Sequence, residues 1–256
     1  MAKDGLIVLM LTLVAAWCIP AAGDVVNFPD ANLEQEIRDA LNIPSPTPIT
    51  QADMANLEWL QCGPGGIENL GGLESASNLW SLWVWGNDVS DLSPIAGLSS
   101  LLDANLSNCQ IQELPSNHAW SSILSLSLSG NQISDISPLS NMTSLSGLSL
   151  SNNRISDISP LAPLNVWMVL DIGGNQISDI APLSDLEVIS RLDLRDNPLN
   201  QEAYDVYLPM IQVNNPEALI LYDPIPEPSA AMFLSLGAYT LIGKSPIVFH
   251  ISHLTR

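Results

Sequence analysis

The chain has 256 residues, 46% of them hydrophobic and 13% charged, which is ample apolar material for a sizeable core. Its 27 acidic residues outnumber seven basic ones for a net charge of −20, and between Asp24 and Glu227 the balance is 26 acidic against four basic, or −22. So negative a surface excludes nucleic acid and anionic membrane surfaces as partners.

In chain order, residues 1–23 come first, with Lys3, an apolar stretch from Leu6 to Ile19, and small residues Ala21, Ala22 and Gly23. This is the pattern of an export signal cleaved before Asp24. Cys18 invites a lipoprotein reading, but Trp17 stands directly before it, where a small residue is needed. Residues 24–56 read as a helical amino-terminal cap. Asp30 can cap a helix start, Glu34 and Glu36 suit its first turns, and Leu33, Ile37 and Leu41 share one face. Thr50 with Asp53 makes a second capping pair before Met54, Leu57 and Leu60.

Residues 57–200 are repetitive. Counting in steps of 22 from Asn87 gives Asn87, Cys109, Asn131, Asn153, Asn175 and Asn197, each two residues ahead of an aliphatic side chain. Leu126, Leu128, Asn131, Ile133, Ile136 and Leu139 recur as Leu148, Leu150, Asn153, Ile155, Ile158 and Leu161, and again from Leu170 to Leu183. Six units are clear, and a degenerate one spans Leu60 to Leu73. Each unit is too short to bury its own apolar face, so the units must stack into a quasi-one-dimensional core. The alternation of Leu126 and Leu128 predicts a short strand in each unit, and the stack predicts a parallel sheet. The Asn ladder is structural, its amides satisfying turn backbone that would otherwise stay unpaired, with Cys109 doing the same work less well. Ser-Asp pairs such as Ser134 and Asp135 precede a Pro and read as caps of short helical or irregular crossings on the convex side. The row Asp91, Glu113, Asp135, Asp157 and Asp179 is explained as a solvated acidic surface rather than a cation site. Cys62 and Cys109 fall at inward positions two units apart, about 10 Å, too far for a disulfide.

Strand alternation also locates an outward face. The residues six, four and two before each ladder position point away from the core. They read Trp59, Gln61, Gly63; Ser81, Trp83, Trp85; Asp103, Asn105, Ser107; then a serine-rich middle; then Val169, Asp171, Gly173; and Arg191, Asp193, Arg195. Three tryptophans thus crowd one end and a mixed charged patch closes the other. Exposed tryptophans recur as interface anchors, which makes Trp59, Trp83 and Trp85 the lead contact residues, unless the cap or a loop covers them. Asp103, Asn105, Asp171, Arg191, Asp193 and Arg195 complete the candidate ligand face, although the last three can equally pair with one another. Trp120 and Trp167 fall at inward positions.

These residues resemble the bacterial leucine-rich repeats of the 22-residue, internalin-like class over roughly residues 27–223. The segment from Phe28 to Asn42 is similar to that family's amino-terminal helical cap. Residues 201–224 resemble its closing element, with a helix from about Glu202 and a last strand at Leu219 to Tyr222. The resemblance implies an α/β solenoid, a horseshoe with short parallel strands on the concave face, capped at both ends. It also implies a non-catalytic module that binds a protein or glycan through that face. Residues 225–256 carry Pro226, Glu227 and Pro228, an apolar run from Ala230 to Gly243, and Lys244. This resembles the PEP-CTERM sorting signal, which implies processing by an exosortase-type enzyme and an envelope, surface or matrix address in a Gram-negative bacterium, with only transient membrane contact. A lone Lys244 replaces the usual basic cluster and Ile247 to Leu254 follows, so a short membrane anchor is the other reading. No zinc-protease, nucleophile-elbow, phosphate-loop or Cys/His metal motif is present, so no enzyme and no cofactor is expected. The competing function is a structural envelope or biofilm-matrix component, an acidic spacer or self-associating array in which the tryptophans play no part.

Overall fold

The computed structural model describes residues 24–164, 169–187 and 189–225. The expected signal at 1–23, Trp167 and the motif Pro226, Glu227 and Pro228 lie outside them. The chain divides into two units, and the first, Met1–Asp223, carries all the helices and strands among the described residues.

The amino-terminal cap begins with Val25 bridged to Thr50, followed in sequence by helix α1, Ala31–Leu41. Asp30 starts α1 by accepting hydrogen bonds from the backbone N–H groups of Asn32 and Leu33 through one carboxylate oxygen. Its second oxygen accepts from Glu68 and Asn69, so one side chain ties the cap helix to the first repeat. Burial raises the Asp30 pKa, but these four donors overcome it and hold the carboxyl below its ordinary range. Leu33 and Ile37 are fully buried, and Asn42 ends the helix in the left-handed region. The short helix α2, Gln51–Met54, opens with a reciprocal capping box between Thr50 and Asp53.

Seven repeat strands follow: β1 Trp59–Gln61, β2 Ser81–Trp83, β3 Asp103–Asn105, β4 Ser125–Ser127, β5 Gly147–Ser149, β6 Val169–Asp171 and β7 Arg191–Asp193. They pair in chain order, all parallel and in strict 22-residue register, so Leu60 lies beside Leu82, Ala104 and Leu126 in turn. Each strand has only three residues and turns its central one inward. The buried aliphatics of successive rungs form one continuous core from Leu33 to Ile211.

On the opposite side, 3-10 turns at Ser93–Ile95, Ser137–Asn141, Ser159–Leu161 and Ala181–Leu183 make the crossings. Asp91, Asp135, Asp157 and Asp179 each accept from the backbone N–H two residues on, and Pro at the start of each turn lacks a donor where none is needed. Among the described residues no group of three or more His, Cys, Asp or Glu is placed to hold a metal ion. Trp120 is buried, donates its indole N–H to the Ile95 carbonyl and stacks on His118. Cys62 and Cys109 are buried free thiols, and burial pushes Cys62 up to about 12.

The carboxyl-terminal end closes with a π turn, Ala203–Tyr207, running into α3, Leu208–Asn214, and then β8, Leu219–Leu221, beside β7. The sequence leads one to expect a plain helix here. Pro209 has no N–H to offer the Asp205 carbonyl four residues back, and a one-residue slip into the wider turn accommodates that loss. No helix among the described residues is long and apolar enough to cross a membrane.

Candidate functional site

Two features hold the concave face in shape. The first is the Asn ladder. Asn131 donates through Nδ2 to the carbonyls of Leu128 in its own rung and Leu106 in the rung before, each at 2.9 Å. Its Oδ1 accepts from the Ile111 N–H at 3.1 Å. Asn153, Asn175 and Asn197 repeat all three bonds, and Asn87 binds Val84, Gly63, Gly65 and Ile67. Cys109 donates through a single weak S–H, to the Val84 and Ser107 carbonyls at 3.5 and 3.7 Å, and its sulfur faces backbone N–H groups of the rung before, those of Asn87 and Val89 among them. Asn215, outside the 22-residue register, does comparable work at the end of the stack. It accepts from Ile189 N–H and donates to Leu186 and Ile211 carbonyls.

The second feature is the residue just before each ladder position. Gly86, Asn108, Gly130, Asn152, Gly174 and Asp196 all have positive φ, between 54° and 71°. The three glycines alternate with three Asx residues, the types that tolerate this conformation. The alternation has a steric cause. A Cβ on Gly130 would collide with Asn108 Oδ1, and one on Gly174 would lie within 2.5 Å of Asn152 Oδ1.

On this frame the face divides into three zones. At the amino-terminal end Trp59, Trp83 and Trp85 are 60%, 39% and 37% exposed. Asp103 accepts from the Trp83 indole N–H and, at 3.1 Å, from the Ser81 hydroxyl. Asn105 accepts from Ser107 N–H. Trp80, one residue ahead of β2, joins this group at 44% exposure, and Leu102 and Leu124 follow it at the same register position. Trp59, Trp80 and Trp83 line a shallow notch of about 130 Å³ together with Leu60, Gln61 and Ser81.

The middle zone is hydroxyl-lined and self-bonded. Ser107 pairs with Ser127 and Ser129 with Ser149, both at 2.6 Å, and Ser149 also reaches Asp171.

At the carboxyl-terminal end Asp193 is 4% exposed and takes Nε and a terminal nitrogen of Arg195 on its two oxygens, while Arg191 reaches it at 3.2 Å. The Arg195 bonds outweigh burial and hold the Asp193 carboxyl below its ordinary range, and the same pairing raises Arg195. Asp171 accepts from Gly173 N–H, and Asp171, Asp193 and Arg195 border a polar hollow of about 150 Å³. A larger cavity of about 680 Å³, lined by Asp24, Thr47 and Gln51 among others, lies in the amino-terminal cap and contains none of the expected contact residues.

Strand alternation in the sequence brought Trp59, Trp83 and Trp85 to one end and Arg191, Asp193 and Arg195 to the other. Trp80 escaped it, because alternation assigns that position to the core. Asn215 escaped because it sits on no repeat register.

Comparison with known proteins agrees with this architecture. Residues 121–163 match the family described as Leucine Rich repeats (2 copies). Among solved structures, internalin C2 of Listeria monocytogenes is 27% identical over 77% of this chain and 94% of its own, with a TM-score of 0.61. A second Listeria monocytogenes internalin, inlF, is 24% identical over 77% of this chain and 72% of its own, also at 0.61. A leucine-rich repeat protein of Leptospira interrogans is 22% identical over 66% and 49%, with a TM-score of 0.52. No protein of curated function matches the sequence. The fold is a leucine-rich repeat solenoid of the horseshoe kind, and it is internalin-like. Such a fold is a scaffold for binding proteins.

Proposed function

We propose that this chain is an exported, envelope-associated, non-catalytic recognition module whose concave face captures a protein, or a glycan, at its tryptophan end. The observation that carries the reading is the exposure of Trp59 and Trp83 on strands whose other side is buried, with Trp85 exposed in the turn just after β2. Large apolar side chains held in the open on a rigid sheet supply contact area at little entropic cost, which is why tryptophan is enriched among residues that dominate binding energy. The export segment in residues 1–23 and the Pro226, Glu227 and Pro228 motif belong to this reading as its means of reaching the envelope. An exosortase-type enzyme is the expected processing partner. Asp103 and Asn105 border the contact, while Asp171, Arg191, Asp193 and Arg195 sit at its far end.

The test is capture of envelope proteins and glycans by the full chain beside a Trp83→Ala, Trp85→Ala variant. Capture lost in a variant of unchanged melting temperature is the expected result. Capture indifferent to the two substitutions would sink this proposal and leave the acidic spacer as the better description.

A further inference from the structure

We propose that the notch between Trp59, Trp80 and Trp83 receives a lysine or arginine side chain of a basic protein partner, a proposal that rests on the concave face being the binding surface. The notch is lined by three indoles exposed by 60%, 44% and 39%, with Leu60 at its floor. At about 130 Å³ it has room for some four water volumes, enough for the head of one side chain.

Two of its polar groups are already committed, while the Gln61 amide and the Trp59 and Trp80 indole N–H groups make no hydrogen bond among the described residues. The Ser81 hydroxyl and the Trp83 indole N–H both donate to Asp103, so they are not free to pair with the hydroxyls of a sugar. That bond also fixes the Trp83 ring, so its π face is presented without reorganisation, with a carboxylate beside it. A π face next to an anion favours a cation.

Among the described residues no unpaired cation is supplied to this end. Between residues 24 and 227 there is no lysine, and there are four arginines. Arg38 is bound to Glu34 and the Thr47 carbonyl, Arg154 to Gln132, and Arg191 and Arg195 to Asp193. The charged residues of the first three strands and the positions just before them are Glu58 and Asp103, both acidic. With a balance of −22 over this region, the whole field draws a basic partner inward and the notch gives its side chain a place to stop.

The experiment titrates the full chain with ten-residue peptides of alternating Gly and Arg, or Gly and Lys, followed by tryptophan fluorescence at low and high salt. Alternating Gly-Glu and Gly-norleucine peptides are the controls. Saturable binding of the Arg and Lys peptides is expected, weakened by salt and absent for both controls. Trp80→Ala should weaken it about two- to fivefold at unchanged melting temperature, the size of one cation–π contact, and Trp80→Phe should restore most of it. Equal binding to the Trp80→Ala variant would mean a merely acidic surface, and norleucine binding as tight as Arg would mean a merely apolar one. Either overturns the inference. Capture of an envelope protein that depends on Trp83 and Trp85, with no response to cationic peptides, removes this inference alone. Capture that ignores those tryptophans removes the reading beneath it.

Discussion

The two ends of the concave face share one backbone and carry opposite chemistries. At and beside β1 and β2 the outward side chains include indoles that stay 37% to 60% exposed; at β7 and just past it two arginines are already folded onto a buried carboxylate. A face that satisfies itself contributes to stability and asks nothing of a partner. A face left unsatisfied contributes little to folding and is available for binding, which is why the amino-terminal end and not the charged end is the better candidate for contact.

The severest way to break this contrast is to remove the frame both ends stand on. Asn131→Ala leaves the Leu106 carbonyl and the Ile111 N–H buried without partners and takes from the Leu128 carbonyl one of its two donors, the other being Asn153, and we expect a loss of about 3 kcal/mol in denaturant unfolding. A loss below about 1 kcal/mol would show the ladder to be dispensable. Arg195→Ala separates the ends next. Asp193 is held below its ordinary range in the folded state, so its contribution is complete above the unfolded value near 3.9 and is lost as pH falls through the lower folded value. The variant should therefore melt lower than the parent at pH 7, with the gap closing in acid, while peptide and protein binding at the tryptophan end stay unchanged. A gap that persists undiminished at about pH 2 contradicts the assignment. Cys109→Asn restores the missing rung of the ladder and should raise stability by about 1 kcal/mol. The smallest effect sharpens the contrast most. Trp83→Ala should change stability by less than about 0.5 kcal/mol, as expected of an exposed side chain with one bond to a surface carboxylate, although it removes a binding residue.

Much of the solenoid was legible in the sequence, because one 22-residue period fixes strand, ladder and turn together. Ile133 to Leu139 and Ile155 to Leu161 are the same seven letters, and their backbones take the same 3-10 turn. Legibility ends where that period does not govern. Trp80 has the same parity as the core residue Leu82, but the chain enters β2 only at Ser81, and the alternation that continues past the strand to Trp85 does not extend back to the turn before it. Asn215 is set by the closing helix and not by the repeat. The π turn at Ala203–Tyr207 depends on one proline inside an otherwise ordinary helical pattern.

The alternation of glycine and Asx before each ladder position bears on how such a chain is lengthened or shortened. Excising residues 109–130 would join two intact rungs in correct register, yet it would stack Asn152 directly on Asn108, whose amide would have to turn aside to admit a Cβ in the next rung. Excising residues 109–152 would instead stack Gly174 on Asn108 and preserve the alternation. A change of 44 residues, twice the 22-residue register, thus leaves these side chains as they stand, whereas a change of one rung requires an Asn side chain to turn aside.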